Sequence, residues 1–236
     1  MQYKVLACDY DGTLAHDGHV DAPARAALER FTAAGGTLIL VTGRELEELF
    51  SIFPDVYRFA AVVGENGGLI YRPATRETKV LCDPPAKTFV DELQRRGVAP
   101  LRTGHVIIAT WRPNETTVLE VIRDQGLEMQ VIFNKDAVMV LPSGVNKATG
   151  LATALKDLGF TEHDVVGVGD AENDHAFLSL CERAVAVANA LPALKEHADL
   201  VTEGARGAGV IELIDRLLRD EAIPKRTPAA TTASKT

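Results

Sequence analysis

Several things are scarce in this 236-residue chain, and each scarcity removes a class of protein. Cysteine occurs three times, at Cys8, Cys82 and Cys181, odd in number and far apart. Neither a disulfide framework nor a zinc cluster is spaced that way, and the pattern suits a reducing compartment such as the cytoplasm. A cysteine nucleophile that cradles phosphate wants an arginine closely following it. The positions six residues on hold Leu14, Thr88 and Val187, so that chemistry is excluded. No apolar run approaches the roughly 18 residues of a membrane span. The opening MQYKVLACDYDGTL has no long apolar stretch and meets acids at once, unlike a signal peptide. Basic charge is also in deficit, with 25 Lys and Arg against 33 Asp and Glu and a formal net charge of −8. A nucleic-acid binder should carry a basic footprint, so neither nucleic acid nor membrane is an expected partner.

Short apolar runs alternating with helical patterns are what the chain does have, the signature of βαβ units around a parallel sheet. Strands are expected over residues 3–8, 37–41, 60–63, 165–168, 184–188 and 199–201. Their Val, Ile, Leu and Ala content suggests cover on both faces. Ala24, Ala27, Leu28 and Phe31 recur at helical spacing, as do Val210, Ile214, Leu217 and Leu218. Leu151, Leu155 and Leu158 mark a third helix, and Gly35 and Gly159 stand where helices should stop. Residues 83–142 read differently, as helix 87–96, strand 106–111, helix 115–125 and strands 129–133 and 137–141. The expected class is α/β, a Rossmann-like core of residues 1–82 and 143–223 interrupted by a small α+β insert over 83–142. Residues 224–236 hold no large apolar side chain and no acid, and are expected to form a disordered tail.

Polar residues fall at the carboxyl ends of the expected core strands: Asp9, Thr42, Glu65, Asp170 and Asn189. Ligands of open α/β sheets bind outside those ends, so the five should converge on one crevice. In Asp9-Tyr10-Asp11-Gly12-Thr13 the two acids are spaced to face one side of an extended segment. Two carboxylates that close raise one another's pKa unless a cation intervenes. Asp170 and Asp174 form a second acidic pair at a strand end. Joined with the first, they make an oxygen donor set suited to Mg²⁺, although each alone also reads as a turn or a helix cap. Thr42-Gly43-Arg44 closes a strand and opens a helix, offering a hydroxyl and free amides to an anion, and Lys147 supplies a compact positive charge near a helix start.

Taken in order, Asp9 to Thr13, Thr42-Gly43-Arg44, Lys147, and Gly169-Asp170 through Asn173-Asp174 resemble the four motifs of the haloacid dehalogenase (HAD) superfamily of phosphohydrolases. The insert resembles the α/β cap of its Cof-like branch. Val63 to Gly68 and Thr110-Trp111-Arg112 are similar to the archaeal-type phosphoglycolate phosphatases and, more distantly, to the sucrose-phosphate and mannosyl-phosphoglycerate phosphatases. The resemblance implies Asp9 as nucleophile and Asp11 as general acid and then base. It implies Mg²⁺ on Asp9, the Asp11 carbonyl and Asp170 with Asp174 close by, and a phosphoryl group held by Thr42, Gly43, Lys147 and Asn173. With Asp11 protonated, three negative charges face Mg²⁺ and Lys147, so the site approaches neutrality only with the metal. A small phosphorylated metabolite, phosphoglycolate or a related acid or sugar phosphate, is the expected substrate of a monomer or homodimer. Trp111, Arg112 and Arg102 are the cap residues nominated to meet its leaving group. A phosphomutase on the same scaffold, a receiver-like phospho-acceptor and a degenerate binding module are the competing readings. The second acid, Asp11, favours a phosphatase or mutase over an ATPase, and no mutase signature is present. The insert has no purpose in a receiver, and no nucleophile or metal ligand is missing as it would be in a degenerate module. His16, His19 and His175 show no ligand spacing, and Asn114-Glu115-Thr116 is a sequon without meaning in a cytoplasmic protein.

Overall fold

The computed structural model describes residues 2–226. The chain opens with β1 (Val5–Asp9), α1 (Ala22–Ala33), β2 (Thr37–Val41), α2 (Leu46–Ile52) and β3 (Ala61–Gly64). It then turns back through β4 (Leu69–Arg72) and β5 (Glu77–Val80). An inserted unit follows: α3 (Lys87–Arg95), β6 (Arg102–Thr103), β7 (Ile108–Trp111), α4 (Glu115–Asp124), β8 (Met129–Asn134) and β9 (Ala137–Pro142). The core resumes with α5 (Lys147–Leu158), β10 (Val165–Gly169), α6 (His175–Leu180), β11 (Arg183–Ala186), α7 (Pro192–His197), β12 (Leu200–Val201) and α8 (Gly207–Leu218).

The larger sheet runs β12-β11-β10-β1-β2-β3-β4-β5, parallel through β3 and antiparallel over the last two strands. β1 and β10 are buried along their whole length, as expected for parallel strands covered on both faces. From β1 the chain steps outward to β2 and β3, and from β10 it steps the other way to β11 and β12. With right-handed crossovers, α1 and α8 then cover one face and α5 and α6 the other. The two directions diverge between β1 and β10, whose residues Cys8 and Val168 lie side by side, and this switch point opens a crevice at the strands' carboxyl ends.

The second sheet is antiparallel, ordered β6-β7-β9-β8, and built wholly from residues 102–142. One face packs on α3 and α4 through Phe89, Leu93, Ile108, Val118, Val121 and Val140. The other carries Val106, Ile107, Met139 and Leu141. Among the described residues no helix is long and apolar enough to cross a membrane.

Three details differ from the sequence reading. β4 and β5 have no counterpart in it: β5 is exposed throughout, so no alternation of buried and open positions marks it. The strand expected from residue 106 starts at Ile108, because the amides of Val106 and Ile107 bond to the Glu65 carboxylate instead of a ladder. The expected tail, residues 224–236, lies mostly outside the described residues. The chain is described as far as Arg226, whose amide donates to Asp199.

Candidate active site

Three carboxylates and one ammonium meet at the switch point. Asp9 is the last residue of β1, and Asp170 directly follows β10. A short 3₁₀ turn, Glu172–Asp174, then brings Asp174 back beneath them. One Asp174 oxygen accepts the amides of Asp170 and Ala171 at 2.8 and 2.9 Å, closing that turn. Its other oxygen accepts Lys147 Nζ at 2.6 Å, and the same Nζ donates to Asp9 Oδ1 at 2.6 Å. Lys147 is placed by α5, where Asn146 caps the helix through the amides of Ala148 and Thr149 and makes Lys147 its first residue. All four side chains are buried. Asp9, Asp170 and Asp174 each offer an oxygen, and the three oxygens lie within 4.8 Å of one another. Gly12, at φ +86°, lets the loop pass so close that a Cβ there would stand 2.3 Å from Asp170 Oδ2.

One ammonium does not balance three carboxylates. Burial pushes the Asp9 carboxyl well above its usual range and Asp174's charge adds to this, with Lys147 opposing. Asp170 is raised for the same two reasons, burial first. Burial works to lower the Lys147 pKa, but the charges of Asp174 and Asp9 override it and hold the group protonated. The donor set is oxygen only, buried and negative in excess, which fits a divalent cation. The thiol of Cys8, next to Asp9, is pushed far up by burial and by the Asp9 charge, so no thiolate competes as nucleophile.

Over this cluster lies a cleft of about 180 Å³, open to solvent on one side. Its floor includes Asp9, Asp11 and Gly43, and its roof is the inserted sheet, through Ile107, Trp111 and Met139. Asp11 is clamped by Arg44, whose Nε and Nη2 donate to its two oxygens at 2.7 and 2.8 Å. Arg44 Nη1 also reaches Glu48 Oε1 at 2.8 Å. Counting this pair, and Lys135 at 3.6 Å from Asp170, four carboxylates of the site face three cations, which leaves one negative charge.

Comparison with known proteins gives the family. The sequence profile of haloacid dehalogenase-like hydrolases matches residues 6–98 and 118–214, most of the chain. It belongs to that family. The protein is thus an enzyme, a phosphoric monoester hydrolase. It is 32% identical over 229 residues to a phosphoglycolate phosphatase of Methanothermobacter thermautotrophicus, covering 91% of this chain and 99% of that protein. It is also 32% identical to the phosphoglycolate phosphatase of Natronomonas pharaonis, over 89% of this chain and 96% of that one. A haloacid dehalogenase-like hydrolase from Bacteroides thetaiotaomicron superimposes with TM-score 0.78 at 21% identity, covering 91% of this chain and 99% of its own. A HAD/Cof-like hydrolase from Plasmodium vivax gives 0.79 at 19%, over 93% and 97%. These last two likenesses speak for the fold.

Within this haloacid dehalogenase-like hydrolase the expected residues divide. Asp9, Asp170, Asp174 and Lys147 form one bonded cluster. The Asp11 carboxylate stands apart from the acidic trio, because β1 ends at Asp9 and the alternation of an extended strand no longer governs residue 11. Thr42 is buried, its Oγ1 accepting the Arg44 amide at 3.1 Å. Gly43 lines the cleft. Asn173 turns its Nδ2 to Asn66 Oδ1 at 3.0 Å. Of the nominated cap residues, Trp111 and Arg102 line the cleft, whereas Arg112 lies over the Phe133 ring and beside Glu115. Glu65, expected in the crevice, is occupied elsewhere, whereas Asn189 lies beside Asp11, Gly12 and Lys135. Asn189 ties the Gly12 carbonyl to the Arg206 amide. Glu65 is fully buried and accepts the amides of His105, Val106 and Ile107 at 2.9, 2.8 and 2.9 Å, joining core to insert. The sequence reading assigned no role to Arg44, Glu48, Thr13 or Lys135. Thr13 donates to Asp170 Oδ1 at 3.2 Å, and Lys135, at the β8–β9 turn, stands 3.6 Å from Asp170 Oδ2. Arg44 was visible inside its motif, but its partner Asp11 lies 33 residues away and only the fold joins them.

Proposed function

We propose that this enzyme is a Mg²⁺-dependent phosphatase of a small phosphorylated carboxylic acid, with phosphoglycolate the favoured substrate. The observation that carries the reading is the buried trio Asp9, Asp170 and Asp174 with Lys147 bridging two of its members. Asp9 is the nucleophile. Lys147 holds its Oδ1 and orients the carboxylate, so that the other oxygen attacks phosphorus and the ester oxygen departs. Asp11, released from Arg44 and protonated, gives its proton to that departing oxygen, and afterwards takes one from the water that hydrolyses the aspartyl-phosphate. Thr42 and the amide of Gly43, which lines the cleft, would meet the phosphoryl oxygens, joined by Asn173, whose partner Asn66 lies against Gly43. Mg²⁺, held by Asp9, Asp170 and Asp174 with the Asp11 carbonyl, would cancel the surplus negative charge and offset part of the charge on the incoming phosphate. The inserted sheet keeps bulk water from the floor of the cleft and limits the leaving group's size. The two relatives named above, both phosphoglycolate phosphatases, support the substrate.

Phosphate release from phosphoglycolate, an aryl phosphate and a panel of sugar phosphates, with and without Mg²⁺, tests the reading. The expected result is metal-dependent turnover, absent in Asp9→Asn, with phosphoglycolate giving the highest kcat/KM. Turnover that survives Asp9→Asn would sink the mechanism, and a large preference for bulky sugar phosphates would sink the substrate.

A further inference from the structure

Two arginines border the cleft, and one glutamate spans them. Glu48, on α2, places Oε1 2.8 Å from Arg44 Nη1 and Oε2 2.9 Å from Arg102 Nη1. Arg44 belongs to the core and Arg102 to β6 of the insert, so this carboxylate joins the floor of the cleft to its roof. The two arginines differ in what else holds them. Arg44 is already clamped by both oxygens of Asp11. Arg102 has Glu48 and the face of Trp111, with its guanidinium carbon 5.7 Å from the ring centroid. Its side chain is about half exposed and faces the cleft. Removing Glu48 from Arg102 therefore leaves a planar cation, backed by an indole, directed into the space next to Asp11.

We infer that Arg102, stacked on Trp111, receives the substrate's carboxylate, and that Glu48 is a built-in carboxylate which occupies the same guanidinium until the substrate displaces it. This deepens the function proposed above and rests on its substrate class. The charge of the cleft favours such an exchange. Asp11, Glu45 and Glu48 crowd its rim, and burial together with the neighbouring Glu65, Glu48 and Glu47 raises the Glu45 carboxyl even though Arg102 opposes. A substrate with two anionic ends enters that field only if each end meets a cation. Lys147 and the metal serve the phosphate, Lys135 stands at Asp170 and Arg44 is held by both oxygens of Asp11, so the lining cation open to the other end is Arg102. A guanidinium also suits a carboxylate better than an ammonium does, because its N–H donors lie in one plane with the two oxygens.

Binding separates this from the phosphatase reading, because it needs no turnover. 3-Phosphonopropionate replaces the ester oxygen of phosphoglycolate by carbon, and 3-hydroxypropylphosphonate keeps that skeleton with an alcohol in place of the carboxylate. The ratio of their dissociation constants, measured calorimetrically with Mg²⁺ present, reads the carboxylate contact alone. The full-length enzyme is expected to prefer the carboxylate. Arg102→Met should lower that preference about tenfold, the scale of one charge-assisted hydrogen bond. Glu48→Gln, which removes the competing charge and keeps the length, should raise it. A ratio within twofold of the unsubstituted enzyme in both variants overturns the inference, whatever the turnover. If the ratio moves as expected while no phosphate is released from phosphoglycolate, the contact stands and the phosphatase reading falls.

Discussion

Replacing Glu65 should detach the inserted unit from the core at a point far in sequence from both covalent junctions. Its carboxylate accepts three amides of residues 105–107, two of them, Val106 and Ile107, belonging to fully buried residues. Glu65→Ala leaves all three without an acceptor. Water can reach the amide of His105, which is partly exposed, but not the other two. A buried donor deprived of its partner costs about 1–3 kcal/mol, so the two together cost roughly 2–5 kcal/mol after some relaxation. Glu65→Gln is a graded control. Its remaining oxygen can stay on Val106 and Ile107, while the amide nitrogen faces the His105 N–H, limiting the cost to about 1–2 kcal/mol. Hydrogen exchange at 105–107 reads this directly. With about 1.4 kcal/mol per tenfold, protection there should fall roughly 30- to 3,000-fold in Glu65→Ala and about 5- to 30-fold in Glu65→Gln, while β1 and β10 keep theirs. If protection at Val106 and Ile107 stays within threefold in Glu65→Ala, those amides do not depend on Glu65 and the reasoning fails.

Two more outcomes follow from the site and its supports. Lys147→Gln should lower turnover of phosphoglycolate by at least about 100-fold, as the loss of a preorganised charge does. It should also make the rise in Tm on adding Mg²⁺ larger than in the unsubstituted enzyme, since Asp9 and Asp174 lose their internal cation; a smaller rise refutes the charge count. Gly67→Ala should cost about 2–5 kcal/mol in urea denaturation, because φ is +98° and the new Cβ would stand 2.0 Å from the Asn146 carbonyl oxygen. A Cm unchanged by that substitution would show that the loop can move aside.

Legibility in the sequence followed burial. β2 begins and ends where expected because a strand covered on both faces is an unbroken apolar run with a sharp boundary. β5 escaped because Glu-Thr-Lys-Val in solvent carries no periodicity, although it pairs with β4 over four positions. The acids and lysine of the site were legible because each stands at the end of such a buried strand or at a helix start. Their partners were not. Arg44 and Asp11, Arg102 and Glu48, and Glu65 and the amides at 105–107 are joined only by tertiary folding. Glu65 and Asn66 moreover take positive φ values of 49° and 52° with no glycine to announce them, a backbone cost that their buried contacts offset.

The return of the chain from the insert has a consequence for how such enzymes can be rebuilt. β9 ends at Pro142 and α5 begins at Lys147, so a handful of residues separates the roof of the cleft from the buried lysine bonded to Asp9 and Asp174. Asn146 within that span both caps the helix and presses its carbonyl against Gly67. The junction is therefore tied to the buried cluster through Lys147 and to the core through Gly67. Exchanging inserted units among homologues to change substrate range would succeed only when the graft ends before this stretch. A donor unit whose last strand leaves at a different angle would displace the lysine even if the new roof folded well.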